Sequence, residues 1–551
     1  MAFFELNIAM SGLFASQRGL QVTSNNITNA ATVGYSRQVL SQRADMPLSA
    51  PGMGMVGTGV ETTGVSRMRD SYIDSKLWGQ NPRLGEYNIK VTQNSLIEAA
   101  YGEPSDEGFT AVFNDMFNGL SDLSKDPSSK DAQTAFRQEL VNYTKYYNNI
   151  TGSLEKYQQD LNYQLKATVQ EINTLATRIE SLNKQIFEAE MYGGEANSFR
   201  DERDLCIDRL SQIGNVEVKE YEDNVNGQIT EKFKVTFEGQ TLVDHFSVNT
   251  LSVKVRDTKL NAEDADDLYD VVWDSGLPFN MSSTSLSGEL KGIIDMRDGC
   301  GTNGEVKYNG IPYYIQRMDN YVREFAQSMN EQYSKNEDGN IEIDPIGSIS
   351  FIEKDDKGEI VGYYDATGTE ITTLTDAEKN NIKANYTSKY KLFTYKTDSM
   401  ASTSTDGSDL KGDDYTKMTS SNFSISKELF DGVEDMRTTY DEENPSDNTF
   451  LLDLLSQKNN KHMFKEGDPK DYMISIFSEL GIGAKEAKMY QSTQTSVTNT
   501  IINQRLSVSQ VDQTEEFTML IKYQQAYQAA AKVMNTMDGI YETTIFKLGN
   551  F

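Results

Sequence analysis

The stretch FELNIAMSGLFASQRGLQVTSNNITNA, residues 4–30, places Leu6, Leu13, Leu20 and Ile27 seven apart, with Ala9, Ser16, Thr23 and Ala30 three residues behind each. Such a heptad predicts a helix with a single partner-facing seam. Its outer face lacks the usual charge: between Met1 and Ser36 only the side chains of Glu5 and Arg18 are charged at neutral pH. The seam is too thin to fold alone, and amides and hydroxyls stand where a solvated helix carries ions. Asn25 and Asn26 sit inside this heptad and predict buried amides that fix register between helices at some cost in stability. The helix is expected to run from about Phe4 to Ala31 and to end near Gly34, a residue suited to the left-handed turn after a helix.

The carboxyl end mirrors the amino end. In EEFTMLIKYQQAYQAAAKVMNTMDGIYETTIFKL, residues 515–548, a second stripe runs through Phe517, Leu520, Gln524, Tyr527, Ala531, Met534, Asp538, Tyr541, Ile545 and Leu548. Both stripes are thin and poor in charge, so they are expected to pair, with Leu13 and Leu20 against Leu520, Tyr527 and Met534.

Between the ends the texture is mixed. MGMVGTGVETTGVSRMRD, residues 53–70, alternates small and apolar residues with glycines and predicts short strands in a hairpin. Asn81 and Pro82 are expected to break the chain ahead of a long helical region. From Leu154 through Tyr157, Leu161, Leu165, Thr168, Ile172, Leu175, Ile179, Leu182 and Ile186 the apolar spacing alternates threes and fours. This predicts a long amphipathic helix over about 150–189, and the extra step of four at Leu165 favours an antiparallel bundle over a regular supercoil. SFRDERDLCIDRLSQIG, residues 198–214, follows as a short helix capped by Ser198. From Asn215 the pattern changes to period two in VEVKEY, EKFKVTFEGQTLVD and LYDVVWD. A helix returns at about 312–333, a polar acidic stretch with strand-like pieces covers about 336–448, and helical texture resumes near Tyr472. The fold class is therefore mainly α with β-rich inserted domains, with paired terminal helices as a coiled coil, an antiparallel helical bundle and a β-rich centre.

Composition bounds the function. With 551 residues the chain makes roughly three or four units at about 150 each. Its formal charge of −31 and pI near 4.5 argue against a nucleic-acid or anionic-membrane binder. Cys206 and Cys300 are the only cysteines, which excludes a disulfide framework or a zinc ribbon. No run approaches the roughly 18 apolar residues of a membrane span, and MAFFELNIAMSG lacks the basic region of a secretory signal. Any export is expected to use a route that needs no cleaved signal.

Catalytic constellations are missing from the pattern. His245 and His462 have neither HExxH nor Cys/His spacing, so no zinc site or histidine triad is expected. Asp201, Asp204 and Asp208 share a helix face, but Arg200, Arg203 and Arg209 beside them point to an ordinary salt-bridged helix surface. NEDGNIEID, residues 336–344, misses the glycine position of a calcium loop and is expected to be a turn. GMGMVGTG lacks the GK[ST] of a phosphate loop. No metal or cofactor is expected, and the chain is expected not to be an enzyme.

NIAMSGLFASQRGLQVTSNNITNAATVGYSRQ, residues 7–38, resembles the shared amino-terminal pattern of the axial proteins of the bacterial flagellum. FRDERDLCIDRLS at 199–211, GELKGIIDMRD at 288–298 and EEFTMLIKYQQAYQAAAKVMNTMDGIYETTI at 515–545 are similar to the members that stand between hook and filament. Val33 and the VDQT preceding Glu515 depart modestly from that pattern. The resemblance implies a structural protein that joins the hook to the filament and is needed for filament assembly, located at the hook–filament junction after type III export. Its implied partners are copies of itself, the hook protein, the next junction protein on the filament side, an export chaperone at the carboxyl-terminal helix and the export apparatus, with no nucleic acid and no membrane insertion. The implied assembly interface comprises Leu6, Leu13, Leu20, Asn25, Asn26, Ile27, Asn29, Gly34, Tyr35, Leu520, Tyr523, Gln524, Tyr527, Ala531, Met534 and Tyr541. The corresponding domains are residues 1–60 with 511–551 (terminal coiled coil), 61–212 with 311–335 and 472–510 (helical bundle), 213–310 (β-rich segment) and 336–471 (exposed β-rich insertion). Another axial protein, of hook or distal rod, and a secreted oligomeric enzyme or adhesin are the alternatives.

Overall fold

The first helix, α1, spans Phe4–Asn29, and the chain turns at Gly34, whose φ of +81° lies in the left-handed region that the sequence leads one to expect. The structure, a computed structural model, describes residues 4–50, 54–103, 105, 108–191, 194–225, 228–283, 285–355, 358–396, 415–433, 436–441 and 443–544. After α1 come β1 (Gln38–Ala44), β2 (Leu48–Ala50), β3 (Gly54–Val56) and β4 (Val60–Arg67). β1 pairs antiparallel with β4, and β2 with β3, as one nested ribbon. The ribbon lies on α1, where the Val60 amide donates to Ser11 Oγ at 3.2 Å. Gly59, at φ +117°, makes that approach possible, since a Cβ there would lie 2.2 Å from Ser11 Oγ.

Helix α2 runs unbroken over Ser71–Tyr101 with Pro82 inside it, against the expected break. Tertiary contacts outweigh the lost helix hydrogen bond. Asn81 is buried and donates to Ser211 Oγ at 2.8 Å, while Trp78 Nε1 donates to Asp208 at 2.7 Å, so the turn immediately before the proline is pinned to α5. Helices α3 (Phe109–Leu123), α4 (Lys130–Glu190) and α5 (Asn197–Ile213) follow. With 61 residues, α4 is about 90 Å long at 1.5 Å per residue. It begins some twenty residues before the stripe read from sequence, because Ser129 caps it and Phe136, Leu140, Tyr143 and Tyr147 extend the same buried face. Ser198 does not cap α5; Ala196 holds that position without a side-chain bond, and the Asn197 amide is used on the Val65 carbonyl.

The β-rich part hangs on α4 through side-chain amides. β5 (Val216–Val225), β6 (Gln228–Phe237), β7 (Gln240–Asp244) and β8 (Ser247–Val248) form a meander, and β9 (Leu251–Val255) pairs with β10 (Tyr269–Trp273). Asn173 exchanges two hydrogen bonds with the Leu251 backbone at 2.6 and 2.9 Å, and Asn162 does the same with Asp267 O and Tyr269 N at 3.1 and 2.8 Å. An amide offers one donor and one acceptor in the geometry of a peptide group, so each completes an unpaired stretch of backbone. Helices α6 (Gly288–Asp298) and α7 (Ile311–Tyr333) then return to the main core.

β11 (Ile341–Ile346), β12 (Ile349–Lys354) and β13 (Ile360–Tyr364), with α8 (Asp376–Asn385), enclose a separate small core of Ile341, Ile343, Ile349, Ile352 and Ile382. NEDGN opens this unit as a turn, with the Asn340 amide donating to Asn336 Oδ1 at 2.9 Å and Gly339 at φ +83°, while the following IEID begins β11 instead of continuing the expected turn. Beyond it, β14 (Phe393–Tyr395) pairs with β15 (Phe423–Ile425), followed by α9 (Lys427–Asp431) and α10 (Thr449–Ser456). Phe393, Phe423 and Phe450 are buried in the main core, so much of this acidic stretch packs inward. Helix α11 (Pro469–Ser509) lies antiparallel on α2, with Phe477 against Tyr101 and the Gln494 amide donating to the Gln80 carbonyl. Helix α12 (Gln513–Glu542) ends the described chain antiparallel to α1. The molecule is 58 % helical with strand-rich central regions, the mainly α class with β-rich inserts.

Candidate assembly interface

On α1 the small and hydroxylic residues, and not the leucines, form the inner seam. Ala9, Ser16, Gly19 and Thr23 are buried, whereas Leu6, Leu13, Leu20, Ile27 and Asn29 stay half-buried. The reason is close approach: the Tyr523 ring lies directly on Gly19, where a Cβ would be 2.6 Å from the ring. On α12 the half-buried positions are Met519, Leu520, Tyr523, Ala530, Ala531, Met534, Met537 and Tyr541. The stripe read from sequence is covered at Leu520, Ala531, Met534 and Tyr541, whereas Phe517, Gln524 and Asp538 are exposed and their neighbours Glu516, Tyr523 and Met537 are the covered positions. Tyr527 is 37 % exposed at the edge of the seam. Ile545 and Leu548 lie outside the described residues.

Of the thirty residues of α12 only Glu516 is buried. Phe517, Ile521, Val533 and Ile540 on α12, and Phe14 on α1, project large apolar side chains outward. An ordinary two-helix hairpin on a soluble protein buries an apolar stripe and faces water with charge. This pair leaves apolar surface on several sides.

The asparagines act within their own segment instead of across helices, a correction to the register role expected of them. Buried Asn26 donates to the Gln38 carbonyl at 2.8 Å and accepts from the Gln38 amide at 3.0 Å, locking the exit strand onto α1 as a peptide group would. Tyr35 Oη donates to Asn26 Oδ1 at 2.7 Å and accepts from Asn25 Nδ2 at 3.2 Å. Asn29 Nδ2 donates back to the Asn25 carbonyl at 3.0 Å. The TSNNITNAATVGYSRQ sequence is thus one hydrogen-bonded turn. Burial, then Asp201 and Glu516, push the Tyr35 hydroxyl up to about 12.

At the foot of this turn the helix pair joins the body through ions. The Ser36 amide and Oγ donate to the two oxygens of Asp201 at 2.9 and 2.7 Å. Arg67 Nη1 bridges Asp201 and Asp204 at 3.0 and 2.5 Å, and Arg69 Nε donates to Asp74 at 2.7 Å while standing 3.4 Å from Asp204. Arg505 of α11 reaches Asp208 at 2.8 Å and Asp74 at 3.2 Å. The expectation of a surface ladder with Arg200, Arg203 and Arg209 is therefore overturned. Asp201 and Asp204 are buried and take their cations from β4 and the loop after it, Asp208 takes its cation from α11, and Arg200 pairs with Glu190 and Arg209 with Glu171 and Glu289. Burial opposes the charge on Arg69, but Asp204 and Asp74 outweigh it and hold the guanidinium above its ordinary range. Asp208 is pushed up by burial, against the pull of Arg505.

Arg37 completes the joint. Its amide donates to the Ser509 carbonyl at 2.9 Å, its Nε to Glu516 at 2.8 Å and its Nη1 to Glu515 at 3.0 Å, tying the foot of α1 to the start of α12. Arg37, Arg67, Arg69, Arg505 and Glu516 escaped the sequence reading. The available signal was the pair Glu515–Glu516 opening one low-charge helix while Arg37 closes the other. The three aspartates are fully engaged by arginines in the joint, an arrangement that positions elements and leaves no carboxylate free for acid or base work.

Comparison with known proteins follows this geometry. The family described as "Flagellar hook-associated protein FlgK helical domain" matches residues 94–344, "Flagella basal body rod protein" matches 6–35, and "Flagellar basal body rod FlgEFG protein C-terminal" matches 502–545. Flagellar hook-associated protein 1 of Bacillus subtilis (strain 168) is 28 % identical over 570 aligned positions, covering 99 % of this chain and 98 % of that protein. The chain is related, end to end, to flagellar hook-associated protein 1. The Escherichia coli (strain K12) hook-associated protein 1 is 25 % identical, over 98 % of this chain and 99 % of its own. The solved structure of the flagellar hook junction protein FlgK from Burkholderia pseudomallei aligns at a TM-score of 0.49 and 14 % identity, covering 79 % of this chain and all of that one. The hook-associated relatives are flagellar components of a structural family. Among the described residues no helix is long and apolar enough to cross a membrane.

Proposed function

We propose that this chain is a structural subunit of the flagellar axis that joins the hook to the filament, without catalysis. The observation that carries the reading is the state of α12, a helix of thirty residues with one buried side chain and apolar groups on its outer faces. In water such a helix gains too little to offset about 1–2 kcal/mol of backbone entropy per residue. Among copies of itself the same surface becomes a packed interior. Small residues and amides then serve better than charge, because they allow close approach without ions that must be desolvated.

The interface residues read from sequence, from Leu6 to Tyr35 and from Leu520 to Tyr541, are proposed as the contact set within and between copies. Residues 1–60 with 511–551 form the assembly unit, and the remainder is a body carried outside it. Self-association, contacts to the hook on one side and to the next junction protein on the other, type III export and a chaperone over α12 before assembly complete the proposal. The test is electron microscopy of cells lacking the protein. Hooks without filaments are expected, and normal filaments would overturn the function.

A further inference from the structure

Among the described residues, two largely apolar features have no partner. The first is the β2–β3 ribbon. Met46 is 81 %, Met55 68 % and Leu48 57 % exposed. A two-stranded ribbon with no layer behind it is marginal in water. Between Ala44 and Val60 the sequence holds one charge, Asp45, on a chain of formal charge −31. The second is a cleft of about 420 Å³ beside Ser36, walled by Leu77, Leu84, Leu205, Ile502 and Leu506, with exposed Val33 at its lip. Its ions, Arg69, Asp208 and Arg505, are engaged with one another or with Asp74. Buried Thr498 in the same wall has a hydroxyl without a hydrogen-bond partner.

A chain's own ribbon is held away from its own cleft. Val60, at the base of the β2–β3 ribbon, is bonded to Ser11, whereas Asn26 accepts from Tyr35 in the cleft wall, and the separation of Ser11 and Asn26 along α1 is about 22 Å at 1.5 Å per residue. The geometry points to a contact between copies, in which the β2–β3 ribbon of one chain seats in the cleft beside Ser36 of the next. This inference rests on the reading of the chain as a self-assembling subunit. Two strongly acidic copies repel each other least where their surfaces carry no net charge, as on the ribbon, which holds no ion between Met46 and Val60, and in the cleft, whose ions are paired within the chain. The free backbone edge of a ribbon strand also supplies the polar partner that Thr498 lacks. Because the two patches differ, the contact is heterologous and passes from copy to copy instead of closing a pair.

Met55→Cys and Val33→Cys, placed together in a Cys206→Ser, Cys300→Ser chain and oxidised in isolated flagella, test the contact. A ladder of covalent oligomers is expected, and the two single-cysteine chains expressed together should give one mixed dimer. A bridge within one chain, a product that stops at dimer from the doubly substituted chain, a bridge to a different protein, or no bridge in flagella that contain the chain would overturn the inference. Absence of the unsubstituted chain from flagella would instead overturn the assembly reading itself. Independently, Met55→Glu and Leu506→Glu are each expected to lower incorporation about tenfold with an unchanged urea midpoint for the body. Incorporation at the unsubstituted level in both would also refute the contact.

Discussion

Replacing Asp201 by alanine should release the Ser36–Arg37 segment at the foot of α1 from the body without unfolding the body. The carboxylate accepts from the Ser36 amide at 2.9 Å, from Ser36 Oγ at 2.7 Å and from Arg67 at 3.0 Å. Removing one member of a buried ion pair costs about 3–5 kcal/mol when the partner is stranded. Here no cation is stranded, because Arg67 keeps Asp204 at 2.5 Å and Arg69 keeps Asp74 at 2.7 Å. The loss falls on the two donors of Ser36, each left unsatisfied at about 1–3 kcal/mol, so a total of about 3 kcal/mol, or roughly a hundredfold in the docking equilibrium, is expected. Amide hydrogen exchange reads this directly. The Ser36 and Arg37 amides, bonded to Asp201 and to the Ser509 carbonyl, should exchange about a hundred times faster in Asp201→Ala. Amides of Leu154 to Ile186 serve as the unchanged reference. Equal exchange at Ser36 in the two proteins would refute the assignment of Asp201 as the tether.

Gly19→Ala should block assembly, because its Cβ would meet the Tyr523 ring at 2.6 Å, and adding Tyr523→Ala should relieve part of the defect in a filament-formation assay; no relief would place the ring elsewhere. Glu238, which accepts from the Asn215 amide at 2.6 Å, is pushed by burial up to about 7. Its folded value lies above the unfolded one, so its contribution to stability is greatest below about pH 4.5 and is lost as pH rises through 7. Glu238→Gln should therefore raise the urea midpoint at pH 8 and change it little at pH 4.5. Cys206 and Cys300 are free, and burial pushes both thiols up to about 11, so neither is a thiolate at neutral pH. Their joint replacement by serine should leave filament attachment intact, with at most about 1–3 kcal/mol lost at buried Cys300, measured by urea titration.

Periodicity made α4 legible because ten positions repeat one face, and the structure keeps eight of them buried, with Tyr157 and Leu175 half-buried at the margin. Periodicity failed by one residue on α12, because a stripe of small residues and amides gives each candidate phase nearly the same apolar score. Only the Tyr523–Gly19 approach selects between them. The joint was hidden for a different reason. Asp201, Asp204 and Asp208 have arginines one to five residues away on their own helix, an apparent local solution, yet their cations come from more than 130 positions earlier and nearly 300 later. Ion pairs at such separation leave no spacing signal. Pro82 misled for the converse reason, since a strong local breaker was overridden by Asn81 and Trp78 anchoring α2 on α5.

The central claim is that α1 and α12 complete their fold only among copies. Hydrogen exchange of the full chain, as a demonstrated monomer and then within isolated flagella, tests it most directly. The account predicts that Leu154 to Ile186 are protected in both states, while residues up to Gly34 and beyond Glu515 exchange freely in the monomer and become protected in the polymer. Strong protection of both terminal helices in the monomer would contradict it.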